Sequence, residues 1–114
     1  MLALFVMAIF AEDATEEHKA AMKGFQKSIG MVRKGVDVPT AIATIKASAK
    51  TVEDFWLKRD PEVTTKSLKA INDGLEAAGK AGEDPAALAA AAATIQGSCA
   101  GCHSVHKGEG NSIK

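Results

Sequence analysis

Apolar side chains recur at alternating intervals of three and four along four separate stretches of this chain, and no stretch of strand length alternates with a period of two. That spacing places side chains on one face of an α-helix and fits no half-buried strand. The first stripe is His18, Met22, Phe25, Ile29 and Val32, and the second is Ile42, Ile45, Ala49, Val52 and Trp56. The third is Thr64, Leu68, Ile71, Leu75 and Ala78, and the fourth is Leu88, Ala92, Ile95, Cys99 and Cys102. The punctuation agrees with the stripes. Asp13 or Thr15 suits the cap of the first helix, with Glu16 and Glu17 at the positive end of its dipole and Gly35 at its close. Pro39 suits an opening turn, Asp60-Pro61 and Asp84-Pro85 each read as a cap followed by a first-turn proline, and Gly79 and Gly82 end the third helix. Beyond Gly108 and Gly110 the chain reads as a frayed tail. Helices of matched length joined by about four to six residues favour antiparallel neighbours. The expected fold is all-α, an antiparallel up-down-up-down four-helix bundle.

The 114 residues suit one domain, and 14 basic residues cancel 14 acidic ones, which argues for neither nucleic acid nor an anionic membrane as partner. Aromatic residues are only 4% and tyrosine is absent, so a bundle this small buries little apolar area from its own side chains. A large apolar cofactor in the interior would supply the deficit. The run Met1–Phe10 stands apart from this pattern. As a helix it spans about 15 Å, half of a bilayer core of about 30 Å, so it reads as a secretory h-region and not as a membrane span. Cleavage after Ala11 is expected, leaving residues 1–11 as a signal remnant, 12–114 as the four-helix domain, and the periplasm as its location. The competing reading is a short buried or amphipathic extension.

The chemistry concentrates in Cys99-Ala100-Gly101-Cys102-His103. Cysteines three apart on a helix share a face one turn apart, a spacing that lets two thiols add to the two vinyl groups of one haem. The histidine that follows can then bind the iron as its proximal ligand. Covalent attachment would also retain haem c in a domain too small to enclose it. Three alternatives compete. Zinc held by Cys99, Cys102, His103 and His106 would crowd four ligands onto one helical segment. A thioredoxin-like pair expects a βαβ setting, and a disulfide across so small a loop stabilises little.

With this motif close to the C-terminus of a four-helix pattern, the chain resembles the class II cytochromes c, which comprise cytochrome c-prime and its low-spin, methionine-ligated relatives. The resemblance covers roughly residues 13 to 108. The family motif continues with two residues, an aromatic and a basic residue. Here Ser104-Val105 lead to His106 and Lys107, and the connection around Leu57 to Pro61 is shorter than the family's. The resemblance implies that the first helix covers the distal side of the haem, with His18 and Met22 at the family's basic and apolar positions. By that implication Met22 faces the iron opposite His103, Phe25 lines the haem wall, and Lys107 stands in for an arginine. His18, one turn before Met22, is the rival ligand or a contact at the crevice edge. The resemblance also implies pairing of copies through the first two helices.

The remaining candidates have plainer readings. Met31 lies off the main stripe and is expected at the surface or between helices, and His106 is expected to flank the crevice. Trp56 and Phe55 read as core packing before haem-edge stacking. Lys19, Lys23 and Lys27 repeat every four residues and read as a solvated face before a docking row for an acidic redox partner. The expected function is that of an electron carrier with His103 and Met22 on the iron, acting with redox partner proteins and not as an enzyme. A c-prime-type protein with a vacant distal side, binding nitric oxide or carbon monoxide, is the alternative. A helical bundle holding a metal without haem is the third class.

Overall fold

The computed structural model describes residues 12–13, 15–106 and 112–113. The run Met1–Phe10, Ala11, Lys107, Gly108 and Gly110 lie outside the described residues. Among the described residues the chain is all-α in character, with four helices: α1 (Glu16–Lys34), α2 (Val38–Trp56), α3 (Pro61–Ala81) and α4 (Pro85–His106). One two-residue antiparallel ladder, β1 (Glu12–Asp13) with β2 (Ser112–Ile113), pairs Glu12 with Ile113 and Asp13 with Ser112. Ser112 and Ile113, expected in an unpaired tail, therefore meet the residues that lead into α1.

Three of the four helices start at a side-chain cap. Thr15 Oγ1 accepts from the His18 backbone N–H at 3.1 Å, so Thr15 takes the capping role considered for Asp13 or Thr15. Gly35 closes α1 in the left-handed region (φ 70°), donating its N–H to the Val32 carbonyl at 3.1 Å while Val36 donates to Met31 at 2.9 Å. Asp60 Oδ1 accepts from the Val63 N–H at 3.1 Å ahead of Pro61, and Asp84 Oδ1 accepts from Ala86 at the same distance ahead of Pro85. α2 lacks a side-chain cap: Asp37 precedes it with φ 43°, and Pro39 lies in its first turn. Gly79 does not end α3, which runs on to Ala81 before Gly82 turns the chain with φ 62°. A glycine inside a helix costs only about 1 kcal/mol, too little to stop a helix with a packed face.

The buried face of each stripe joins one core. Phe25, Ile29 and Val32 come from α1, Ala41, Ile45, Ala49, Val52 and Trp56 from α2, Ile71, Leu75 and Ala78 from α3, and Leu88, Ala91, Ala92 and Ile95 from α4. Helix α1 packs on α2 and α4, and α3 packs on the same two. Small residues set the closest approaches. A Cβ at Gly74 would overlap Ile95 and press on the Ala91 carbonyl at 3.1 Å, and one at Gly24 would meet Ser48 Oγ at 2.7 Å. Met22, Met31, Ile42, Leu68, Phe55 and Cys99 flank this core, partly buried. Met31 thus packs between helices. Among the described residues no helix is long and apolar enough to cross a membrane.

Candidate functional site

The connection between α2 and α3 is a tight turn. The Trp56 carbonyl accepts from both the Arg59 N–H (2.9 Å) and the Asp60 N–H (2.8 Å). This folds the last residue of α2 against the cap of α3, and the end of α4 lies over the pair. The His106 ring is tilted by 34° on the Trp56 indole with centroids 4.2 Å apart, and its Nε2 is hydrogen-bonded to Asp60 Oδ2 at 2.8 Å. Two effects hold the Asp60 carboxyl below its ordinary range: first the hydrogen bond from the Val63 N–H, then the one with His106. Arg59 lies 3.9 Å over the Phe55 ring and donates to the Phe55 carbonyl at 2.8 Å, clamping the turn from outside.

The same Trp56 reaches α1. Its Nε1–H donates to His18 Nε2 at 2.9 Å, a buried hydrogen bond between residues 38 apart in sequence. His18 is 7% exposed and Trp56 4%. The Phe55 and Trp56 rings stand edge-on to the imidazole, at centroid distances of 5.1 Å and 6.1 Å. Burial, and secondarily the charge of His103, push the His18 pKa down. His18 is accordingly a neutral imidazole in an apolar and aromatic setting, sensing the imidazole that follows Cys102.

Cys99 and Cys102 lie one turn apart near the end of α4, both half-buried and both free thiols. The Cys99 thiol is directed at the Ile95 carbonyl, 3.6 Å away. Burial pushes the Cys99 thiol up; it does the same for Cys102, with the charges of Cys99 and Asp60 adding to it. Both are therefore protonated at neutral pH, poor metal ligands and poor redox nucleophiles as they stand. Among the described residues no three Cys, His, Asp or Glu side chains converge on a point where a metal ion could bind, so the zinc alternative finds no geometry here. The donor set does fit haem c attachment: two uncrosslinked thiols on one helical face, followed directly by a histidine at the surface.

The sequence candidates separate into two groups. His18, Trp56, Phe55, His106 and the two cysteines gather at one end of the bundle. Phe25 instead lies in the main core, and Met22 sits at the core's flank, half-buried, one turn after His18 on the same face of α1. Lys23 and Lys27 are exposed and Lys19 pairs with Glu16 at 3.3 Å, the arrangement of a solvated face. Lys107 lies outside the described residues. Asp60 was legible only as a cap, and its second role as partner of His106 came from the fold. The bond between Trp56 and His18 had a signal in principle: polar atoms on two apolar stripes each need a buried partner. An open groove of about 800 Å³ between α1 and α2, lined by Ala20, Gly24, Ala43 and Ala47 among others, receives no residue from α4.

No protein-family model matches the chain, and neither a curated protein nor a solved structure does. The resemblance to class II cytochromes c thus rests on the motif and the helical pattern.

Proposed function

We propose that this chain is an exported electron carrier holding one haem c through Cys99 and Cys102, with His103 and Met22 as the axial ligands of its iron. The observation that carries this reading is the pair of free thiols one turn apart on α4, followed directly by His103 on the helix that ends at His106. The haem would supply one-electron chemistry between ferric and ferrous iron. The chain's own residues do the rest. Each thiol would form one thioether to a haem vinyl group, sulfur bonding to one vinyl carbon and the thiol proton passing to the other. His103, one residue past the second thiol on α4, would supply the proximal imidazole to the iron of a haem tethered there. Met22 lies on the core-facing side of α1, and a thioether opposite a histidine raises the reduction potential and suits electron transfer.

An antiparallel up-down-up-down course supports the same reading. The start of α1 (His18), the end of α2 (Trp56), the cap of α3 (Asp60) and the end of α4 (His106) touch one another. A Cβ on Gly35, after α1, would lie 3.5 Å from Leu88 in the first turn of α4. Such a course brings the tether on α4 beside the stripe of α1 that carries His18 and Met22. The apolar run Met1–Phe10, read as a secretory h-region, supports a periplasmic location, where haem c would be attached and redox partner proteins met.

The test is the absorption spectrum of the protein matured with haem, oxidised and then reduced, with and without carbon monoxide. A low-spin spectrum that ignores carbon monoxide, and that Met22→Ala converts to a responsive one, is the expected result. A high-spin spectrum that shifts with carbon monoxide replaces electron transfer by gas binding at a vacant distal side. Absence of covalent haem overturns both.

A further inference from the structure

His18 and Met22 share one face of α1, a turn apart, and both carry atoms that bind iron. Imidazole is a ligand for iron on the same footing as a thioether, so a haem protein with this stripe needs a reason to take one and leave the other. The reason lies on α2. Building on the haem reading above, we propose that Trp56 decides the distal ligand: its indole N–H occupies the Nε2 lone pair of His18 and reserves the iron for Met22.

An indole nitrogen only donates, so at 2.9 Å from His18 Nε2 the histidine must be the acceptor, and the ring proton resides on Nδ1. A neutral imidazole has a single lone pair in its plane. Here that pair is spent on Trp56, leaving no nitrogen able to coordinate a metal. Rotation would release it, but the ring is 7% exposed and is bracketed edge-on by Phe55 at 61° and Trp56 at 68°. The backbone N–H of His18 is bound to Thr15 Oγ1, so the first turn of α1 is also held. The donor is fixed in turn. Trp56 is the last residue of α2, its indole packs on His106, and His106 is tied to Asp60 at the cap of α3. Three other helix ends thereby hold the indole against α1. Trp56 is a positioning residue: it acts on the iron through His18.

The experiment uses the full chain as isolated and reduced, with imidazole nitrogens observed by nitrogen-15 NMR. In the unmodified protein the expected tautomer of His18 carries its proton on Nδ1, with Nε2 bare and hydrogen-bonded. The opposite tautomer overturns the inference without any variant, so a variant that fails to fold does not shield it. Trp56→Phe keeps the aromatic bulk and deletes the N–H. In the oxidised holoprotein it is expected to abolish the sulfur-to-iron charge-transfer band, bring in a bis-imidazole signature and lower the potential. Adding His18→Leu should restore the sulfur band, a rescue that a merely structural role for Trp56 does not predict. A sulfur band unchanged in folded Trp56→Phe overturns the inference and leaves the haem reading standing. Covalent haem without a sulfur band in the unmodified protein removes Met22 as ligand, and the inference falls with it.

Discussion

The two halves of the core are built from different materials. Toward the α1–α2 turn and the start of α4, the interior is largely aliphatic: Val32, Ala41, Ile45, Leu88, Ala92 and Ile95 are all at most 2% exposed, with Ser28, equally buried, the polar exception. At the other end lie His18, Phe55, Trp56, Asp60, His106, Cys99 and Cys102, and five of these, His18, Trp56, Asp60, His106 and Cys99, have a side-chain heteroatom with a named partner. Aliphatic burial is non-directional and tolerates exchange, whereas each buried nitrogen must find its partner or lose the full cost of desolvation. One half is therefore organised to hold the helices together. The other is organised to hold particular atoms in place, which is what a site requires.

Substitutions should separate the halves. On the proposed function, Cys99→Ala with Cys102→Ala has the largest effect: complete loss of covalent haem, read on denaturing gels stained for haem, with apolar core packing left as it was. Ile45→Ala, at a side chain with 0% exposure, should destabilise the fold by about 2–5 kcal/mol in a denaturant titration and leave covalent haem attachment intact. Gly74→Ala tests close packing in the aliphatic half. The added methyl would gain about 1 kcal/mol of helix propensity, but it overlaps Ile95 and crowds the Ala91 carbonyl. Overpacking costs about 1–3 kcal/mol, so a modest net destabilisation is expected.

Acid should act on the polar end. His18 has its folded pKa below the ordinary 6.5, so the unfolded chain takes up that proton first. The stability it contributes is full above 6.5 and is lost as pH falls through the depressed folded value. Asp60, also depressed, acts in the same direction in a lower window: full above its ordinary 3.8 and lost below it. The denaturation midpoint should thus fall as pH drops through the histidine range. His18→Gln, whose amide oxygen can still accept from Trp56, should flatten that upper step and leave the lower one. The smallest effect belongs to neither half. Lys69→Ala breaks an exposed pair with Asp73 at 2.9 Å and should cost less than about 0.5 kcal/mol, diminishing with salt.

Most of the scaffold was legible in the chain because it is local. Thr15, Gly35, Asp60-Pro61 and Asp84-Pro85 mark helix limits through contacts within a few residues, and the stripes through Ile45, Ile71, Leu75 and Ile95 name faces that are indeed buried. Gly79 misled because punctuation weighs less than a continuing packed face. Ala41 and Ala91, absent from the four stripes, are fully buried because small side chains are what allow the helices to approach. At the site, Trp56 was read as packing and Asp60 as a cap, and both readings hold as far as they go. Their second partners were out of reach of any local pattern.

Sequence alone determined the four helices, the caps of three of them, and the placing of two thiols and an imidazole on the last turns of one of them, because helix periodicity and covalent spacing act within a few residues. Tertiary structure decided that the Trp56 indole donates to His18 and that Asp60 answers His106, across 38 and 46 residues. Those pairings depend on which helix ends meet. That is settled by the joint burial of four apolar faces and the tight turn after Trp56, and by no single stretch of the chain.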